Sequence, residues 1–198
     1  MELILIRHGL PVRQELENGR ADPPLSDTGH HQASLVAKWL EPMAIDAVYS
    51  SPLMRARQTA EPYVDLSGHS AVIHDGVEEF GRDTLSYIPV EQLKAEDYEA
   101  WQALGDFATD LDLDLDEFSK IVVDAMEEII GSHKSQIAAV FCHGGVINIW
   151  ASHVLGLEAR VFFEPAYTSV SRFLCASTGE RNLVSLNETA HLRGFKLR

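Results

Sequence analysis

The feature that most constrains this chain is a pair of apolar runs that each stop at a histidine and a glycine. Residues 2–6 read ELILI and end at Arg7-His8-Gly9, while residues 137–142 read IAAVFC and end at His143-Gly144-Gly145. Runs this short, unbroken and sharply ended read as strands covered on both faces, because a strand with one wet face would alternate. A helical pattern opens directly after the second run (VINIWASHVLG), and residues 26–41 (SDTGHHQASLVAKWLE) form another. Ser26 would be the N-cap of that helix, and Leu35, Val36, Trp39 and Leu40 its apolar face. Residues 46–50 (DAVYS) read as a strand, followed by a helix from about Leu53 that Pro62 should kink or end. Residues 71–74 (AVIH) read as a short strand, and 169–176 and 182–186 as closing strands. Strands alternating with helices predict an α/β three-layer sandwich, with a mainly parallel central sheet and helices on both faces. In such folds ligands bind at the carboxyl ends of the strands, where both histidines fall.

With 198 residues, 45% of them hydrophobic, the chain can bury one sizeable core, and residues 1–198 read as a single domain. The stretch 82–135 differs from the rest. It holds two helical patterns (VEQLKAEDYEAWQALGDF and DEFSKIVVDAMEEIIGS) and little strand signal, and it reads as a helical cap inserted over the strand ends. Tyr98, Trp101 and Phe107 would pack its helices together. The formal net charge of −14 opposes long-range attraction to nucleic acid or anionic membranes, so neither is an expected partner. An anion site here has to be a local concentration of the few basic groups. No run approaches the roughly 18 apolar residues of a membrane span. The N-terminal run is too short for a signal-peptide core and follows an acid, so the expected compartment is the cytoplasm. Cys142 and Cys175 sit in apolar runs without metal-ligand spacing and read as buried thiols. His30-His31 lack a suitably spaced third ligand and read as a solvated helix face. Residues 110–117 (DLDLDLDE) lack the glycine and glutamate of a calcium loop and read as a solvated acidic segment.

Four polar clusters fall at strand ends or helix starts: Arg7-His8-Gly9, Arg55 with Arg57, Glu78-Glu79, and His143-Gly144-Gly145. In a parallel sheet the first and last converge on one edge. A neutral imidazole is a nucleophile able to form a covalent intermediate. Arginine presents a permanently charged fork that matches phosphate oxygens. A second histidine can donate to a transferring group, and N–H groups at a Gly-Gly helix start add an anion site. Phosphoryl transfer needs mainly positioning and charge stabilisation, which this set supplies. A leaving alkoxide also needs a proton, which Glu79 or Glu78 could give.

These segments resemble the histidine phosphatase superfamily, also called the phosphoglycerate-mutase-like family. LILIRHG, RADPPLSDTGHHQA, YSSPLMRARQTAEP, FCHGGVIN and LNETAHL follow one another in the family's order. The resemblance implies that His8 is the phosphorylated nucleophile, that Arg7, Arg55 and His143 surround the phosphate, and that Gly144 offers its backbone N–H. Glu79 would be the general acid and then the base that activates water. It also implies no metal and no other cofactor. The chain departs from the family pattern twice. The acid segment GVEEFGRD has an early glycine and lacks W-E-G, which leaves Glu78 as an alternative that spacing disfavours. Leu10-Pro11 follows Arg7-His8-Gly9 where the family often has a polar pair, so Arg13 or Arg20 could supply a missing phosphate contact. Arg57 reads as a helix-surface residue.

The expected function is metal-independent hydrolysis of a small phosphorylated metabolite, or of a phosphoprotein, with inorganic phosphate as product. A phosphoglycerate-type mutase is the alternative of the same chemistry; the chain is short for one and lacks the motif usual after the acid. A catalytically silent phosphate-binding module is the alternative of another class, and the irregular acid segment keeps it open.

Overall fold

The computed structural model describes residues 1–80, 84–99 and 115–194. A six-stranded sheet runs through them in the order β4-β3-β6-β1-β7-β8. Its strands are β1 (Glu2–Arg7), β3 (Ala47–Ser50), β4 (Ala71–Ile73), β6 (Ile137–Cys142), β7 (Val170–Cys175) and β8 (Arg181–Glu188). Neighbours among β4, β3, β6 and β1 pair in parallel, and β7 is antiparallel to both β1 and β8. A tight turn suits an antiparallel pair, and Ala176 and Glu180 close one between β7 and β8. The mostly parallel α/β architecture expected from the alternating pattern is thus present, with an antiparallel margin.

The sheet is covered on both sides. Side chains alternate along a strand, so Leu3 and Leu5 enter one core while Ile4 and Ile6 enter the other, all four wholly buried. Each such burial stabilises the fold by roughly 1.5–3 kcal/mol before entropy is counted. The first core holds Trp150, Phe173 and Met126; the second holds Val36, Leu40, Tyr63 and Phe141.

Helix α1 (Asp27–Leu40) starts at Ser26, whose hydroxyl accepts from Gly29 N–H at 3.1 Å. It buries Val36 and Leu40 as expected, but Trp39 is 36% exposed and Ala33 and Ala37 complete the inner face. Helix α2 (Met54–Ser67) contains Pro62 without ending there. Tyr63, buried just beyond the proline, keeps the last turns on the sheet, so the lost hydrogen bond is outweighed by packing. Lacking a side-chain cap of its own, α2 borrows Asp22, whose carboxylate accepts from Met54 N–H at 2.9 Å.

The stretch expected as a cap divides. A two-stranded ribbon joins β2 (Gln14–Glu15) to β5 (Ser86–Tyr87), and α3 (Val90–Glu96) follows. Tyr98 is 54% exposed; Trp101, Phe107 and residues 110–114 lie outside the described residues. Helix α4 (Leu115–Ser132) is no peripheral cap. It buries Val122, Ala125, Met126, Ile129 and Ile130 in the first core, so it belongs to a main layer. Its apolar stripe at helical spacing could equally have faced a cap, and only the packing decides. Among the described residues, no helix is long and apolar enough to cross a membrane.

Candidate active site

The register of β1 on β6 sets the site. Arg7 lies opposite Cys142, so the next residues, His8 and His143, leave neighbouring strands at one level. His8 N–H donates to Cys142 O at 3.0 Å, and the two imidazole centroids stand 5.2 Å apart. Helix α5 (Gly144–Leu155) begins at once after His143, which leaves its first-turn N–H groups without intrahelical acceptors.

The loop after β1 is held from α1 and α2. Gly9 N–H donates to Thr59 Oγ1 at 2.9 Å, and Leu10 N–H to Gln32 Oε1 at 2.9 Å. Gly29 meets this loop so closely that a Cβ there would lie 2.1 Å from Leu10 O. Glycine is required by that approach of backbone to backbone.

His8 is 2% exposed. Its Nδ1 lies 2.8 Å from Gly9 O, and a carbonyl only accepts, so the proton sits on Nδ1 and Nε2 carries the lone pair. Arg55 Nε–H donates to that Nε2 at 3.3 Å. Burial, then the guanidinium groups of Arg55 and Arg7, holds the imidazole well below its ordinary pKa, so it is neutral at pH 7. His143 is likewise held neutral, by burial first and then by Arg55. Its Nε2 contacts Ser51 Oγ at 2.8 Å, while its buried Nδ1 has no protein partner.

Arg7 and Arg55 are buried and each lies over a tyrosine ring, Arg7 at 4.1 Å from the Tyr167 centroid and Arg55 at 4.8 Å from that of Tyr87. Arg7 also donates to Pro165 O, and its Nε is buried without a partner. A Cβ on Gly144 would stand 3.8 Å from that Nε, so the helix start and the guanidinium are neighbours.

The two acids separate. Glu78 pairs with Arg20. Glu79 accepts from Gly145 N–H at 3.3 Å and from Phe80 N–H at 3.2 Å. Burial pushes its pKa up, against the opposing pull of Arg55 and those N–H groups. Of the other basic candidates, Arg13 binds Glu15 and Glu96, Arg20 is held by Glu78, and Arg57 is exposed on α2. Arg20 nonetheless stays close enough for its charge to help lower the pKa of His143. Beside the histidines lies a cavity of ≈ 370 Å³ lined by Arg20, Asp22, Pro52, Leu53, Asp75 and Glu78. Asp22 connects it to the site through Arg55, 3.8 Å away.

Cys142 and Cys175 are buried free thiols, and burial pushes Cys175 up to about 11. His30 and His31 are exposed. Among the described residues, no group of three or more His, Cys, Asp or Glu could hold a metal ion. Sequence reasoning missed Tyr87, Tyr167, Thr59 and Asp22. Tyr87 and Tyr167 carry no local signal; Asp22 and Thr59 lie inside two of the quoted segments but have no spacing that marks a role.

Residues 3–189 match the family model of the histidine phosphatase superfamily (branch 1). The chain belongs to that family. Among curated relatives it is 26% identical to a probable phosphatase of Schizosaccharomyces pombe, over 97% of this chain and 95% of the relative. It is 27% identical to phosphoserine phosphatase 1 of Hydrogenobacter thermophilus, over 98% and 96%. The crystal structure of an Entamoeba histolytica phosphoserine phosphatase in complex with 3-phosphoglyceric acid superposes with a TM-score of 0.74 at 24% identity. That match covers 96% of this chain and 98% of the other.

Proposed function

We propose that the protein is a phosphomonoesterase that hydrolyses a small phosphorylated metabolite through a phosphohistidine on His8. One observation carries the reading: a buried neutral imidazole presents its Nε2 lone pair to buried Arg55, with the buried Arg7 near enough for its charge to act on the ring. The buried, unpartnered Arg7 Nε and His143 Nδ1 are the kind of donors that a phosphoryl oxygen satisfies. Ser51 Oγ accepts from Leu53 N–H at 3.2 Å. In this reading its own proton goes to His143 Nε2, which places the imidazole proton on Nδ1. Gly144 N–H adds a donor at the helix start.

The reaction then runs in two steps. The phosphate draws Arg55 off the lone pair, Nε2 attacks phosphorus, and the ester P–O bond breaks. Glu79 gives its proton to the departing oxygen, which its raised pKa favours. Water then attacks phosphorus while the Glu79 carboxylate takes its proton, the P–N bond breaks, and inorganic phosphate leaves. The cavity beside Asp22 offers room for a leaving group. Relatives named as phosphatase and phosphoserine phosphatase support hydrolysis of a small phosphate ester.

The test is phosphate release from a panel of phosphomonoesters with chelator present, for wild type and His8→Ala. Release should fall by roughly 10³-fold or more in the variant. An acid-labile, alkali-stable phosphoryl group should be trapped on His8 of the wild type. Release unaffected by His8→Ala overturns the phosphohistidine. Phosphate that moves between positions of a substrate without release would instead make the protein a mutase.

A further inference from the structure

The segment LNETAHL near the chain end has no role in the chemistry above, yet two of its residues reach the loop that holds Arg7. We propose that Asn187 and His191 are positioning residues for the phosphate site, acting through the loop at 165–169. The proposal rests on Arg7 being a phosphate ligand.

The loop grips the end of β1 by four contacts. Arg7 donates through its guanidinium to Pro165 O and lies over the Tyr167 ring. Its backbone N–H donates to Ser169 O at 3.1 Å, and Thr168 N–H donates to His8 O at 3.3 Å. Whatever fixes residues 165–169 therefore fixes where the Arg7 guanidinium and the His8 ring lie.

The loop cannot hold this shape by itself. Thr168 is wholly buried with φ 58°, a left-handed conformation that a β-branched residue disfavours. Such a residue persists only where its surroundings over-determine it. Two outside contacts do so. Asn187 Oδ1 accepts from Ala166 N–H at 2.7 Å, and His191 Nε2 lies 3.2 Å from Thr168 Oγ1. The direction of the second follows by counting protons. Thr168 Oγ1 spends its only hydrogen on Tyr167 O at 2.7 Å, so His191 Nε2–H is the donor.

Both anchors are themselves built. Asn187 has φ 57°, which asparagine tolerates, and its N–H donates to Ser171 Oγ at 3.2 Å. The His191 ring lies 6.1 Å from that of Trp39 on α1, the helix whose start supports Leu10. The brace thus ties the two loops that flank His8 to one another.

Asn187→Gly keeps the left-handed backbone and removes only the acceptor. His191→Ala removes the donor, and His191→Gln returns one. The affinity for inorganic phosphate and the Arg7 Nε–H resonance are measured for each, alongside the thermal midpoint. Asn187→Gly and His191→Ala should each weaken phosphate binding by about tenfold or more and move the Arg7 resonance, with His191→Gln recovering most of both. Unchanged affinity and an unmoved Arg7 resonance in folded variants would overturn the brace. If His191→Ala does not fold, Asn187→Gly decides alone. If wild type binds no phosphate, or Arg7→Ala leaves its binding intact, the functional reading fails instead, and the Arg7 resonance alone decides the brace.

Discussion

At Glu79 two opposing influences meet. Burial favours the neutral acid, while Arg55, Arg7 and the N–H groups of Gly145 and Phe80 favour the carboxylate, and burial wins. A carboxyl that keeps its proton to higher pH is a better general acid. The same raised pKa costs stability at pH 7, above the range in which the unfolded chain's carboxyl titrates. Glu79→Gln should therefore slow hydrolysis of alkyl phosphates by about 10²–10⁴-fold. The burst from an activated aryl phosphate should persist, since that leaving group needs no proton. The unfolding temperature at pH 7 should rise. A lower unfolding temperature, or a burst lost equally, would remove Glu79 from this role. Spacing in the sequence favours Glu79 over Glu78, but what separates them physically is tertiary: one carboxylate faces Arg20 and the other faces Gly145. Tyr87 and Tyr167 were illegible for the same reason, because a tyrosine becomes part of a site only when an arginine packs over it.

Among the elements, the start of α5 leaves no room for a side chain at Gly145. A Cβ at Gly145 would fall 2.3 Å from Glu79 Oε1 and 2.5 Å from the Phe80 ring. Gly145→Ala should push the Glu79 carboxylate away while leaving Arg7, Arg55 and His8 in place. Turnover of alkyl phosphates should fall as in Glu79→Gln, with phosphate affinity kept and stability lowered by about 1–3 kcal/mol. Equal loss of phosphate affinity in a calorimetric titration would show that the helix start, not the acid, had moved. Most elements were legible because their signals are local: the unbroken apolar runs of β1 and β6 and the capped pattern of α1 need no partner to be seen. The survival of α2 past Pro62 and the place of α4 were not, since both depend on what packs against them.

Across the whole molecule, the neutral histidines make the fold sensitive to acid. His8, His143 and His191 are all held below their ordinary pKa, chiefly by burial. Between 6.5 and their folded values the unfolded chain binds more protons, so stability falls as pH falls. Glu79 acts in the opposite direction, since its raised folded pKa adds stability as pH falls towards 4.5. The histidines should therefore steepen the fall in unfolding temperature from pH 7 to pH 5 relative to variants that lack them. Replacing His143 by Gln should flatten that slope. A pH slope of the thermal midpoint that is the same in wild type and His143→Gln would contradict the buried neutral His143. The charge of −14 adds a general self-repulsion, and the site overcomes it only locally, by gathering Arg7 and Arg55 in one cleft.

The sequence alone determined the alternating α/β pattern of this protein and the segments that mark its family. A buried strand needs a continuous apolar run and a helix needs a 3.6-residue period, and both are readable within a few residues. Only the tertiary structure decided the antiparallel margin at β7, the place of α4 in a main layer, the pairing of Arg13 with Glu96 and of Arg20 with Glu78, and the two tyrosines beneath the arginines. Each of these rests on a pairing between residues far apart in the chain, and no local pattern carries information about a partner that the chain meets only after it has folded.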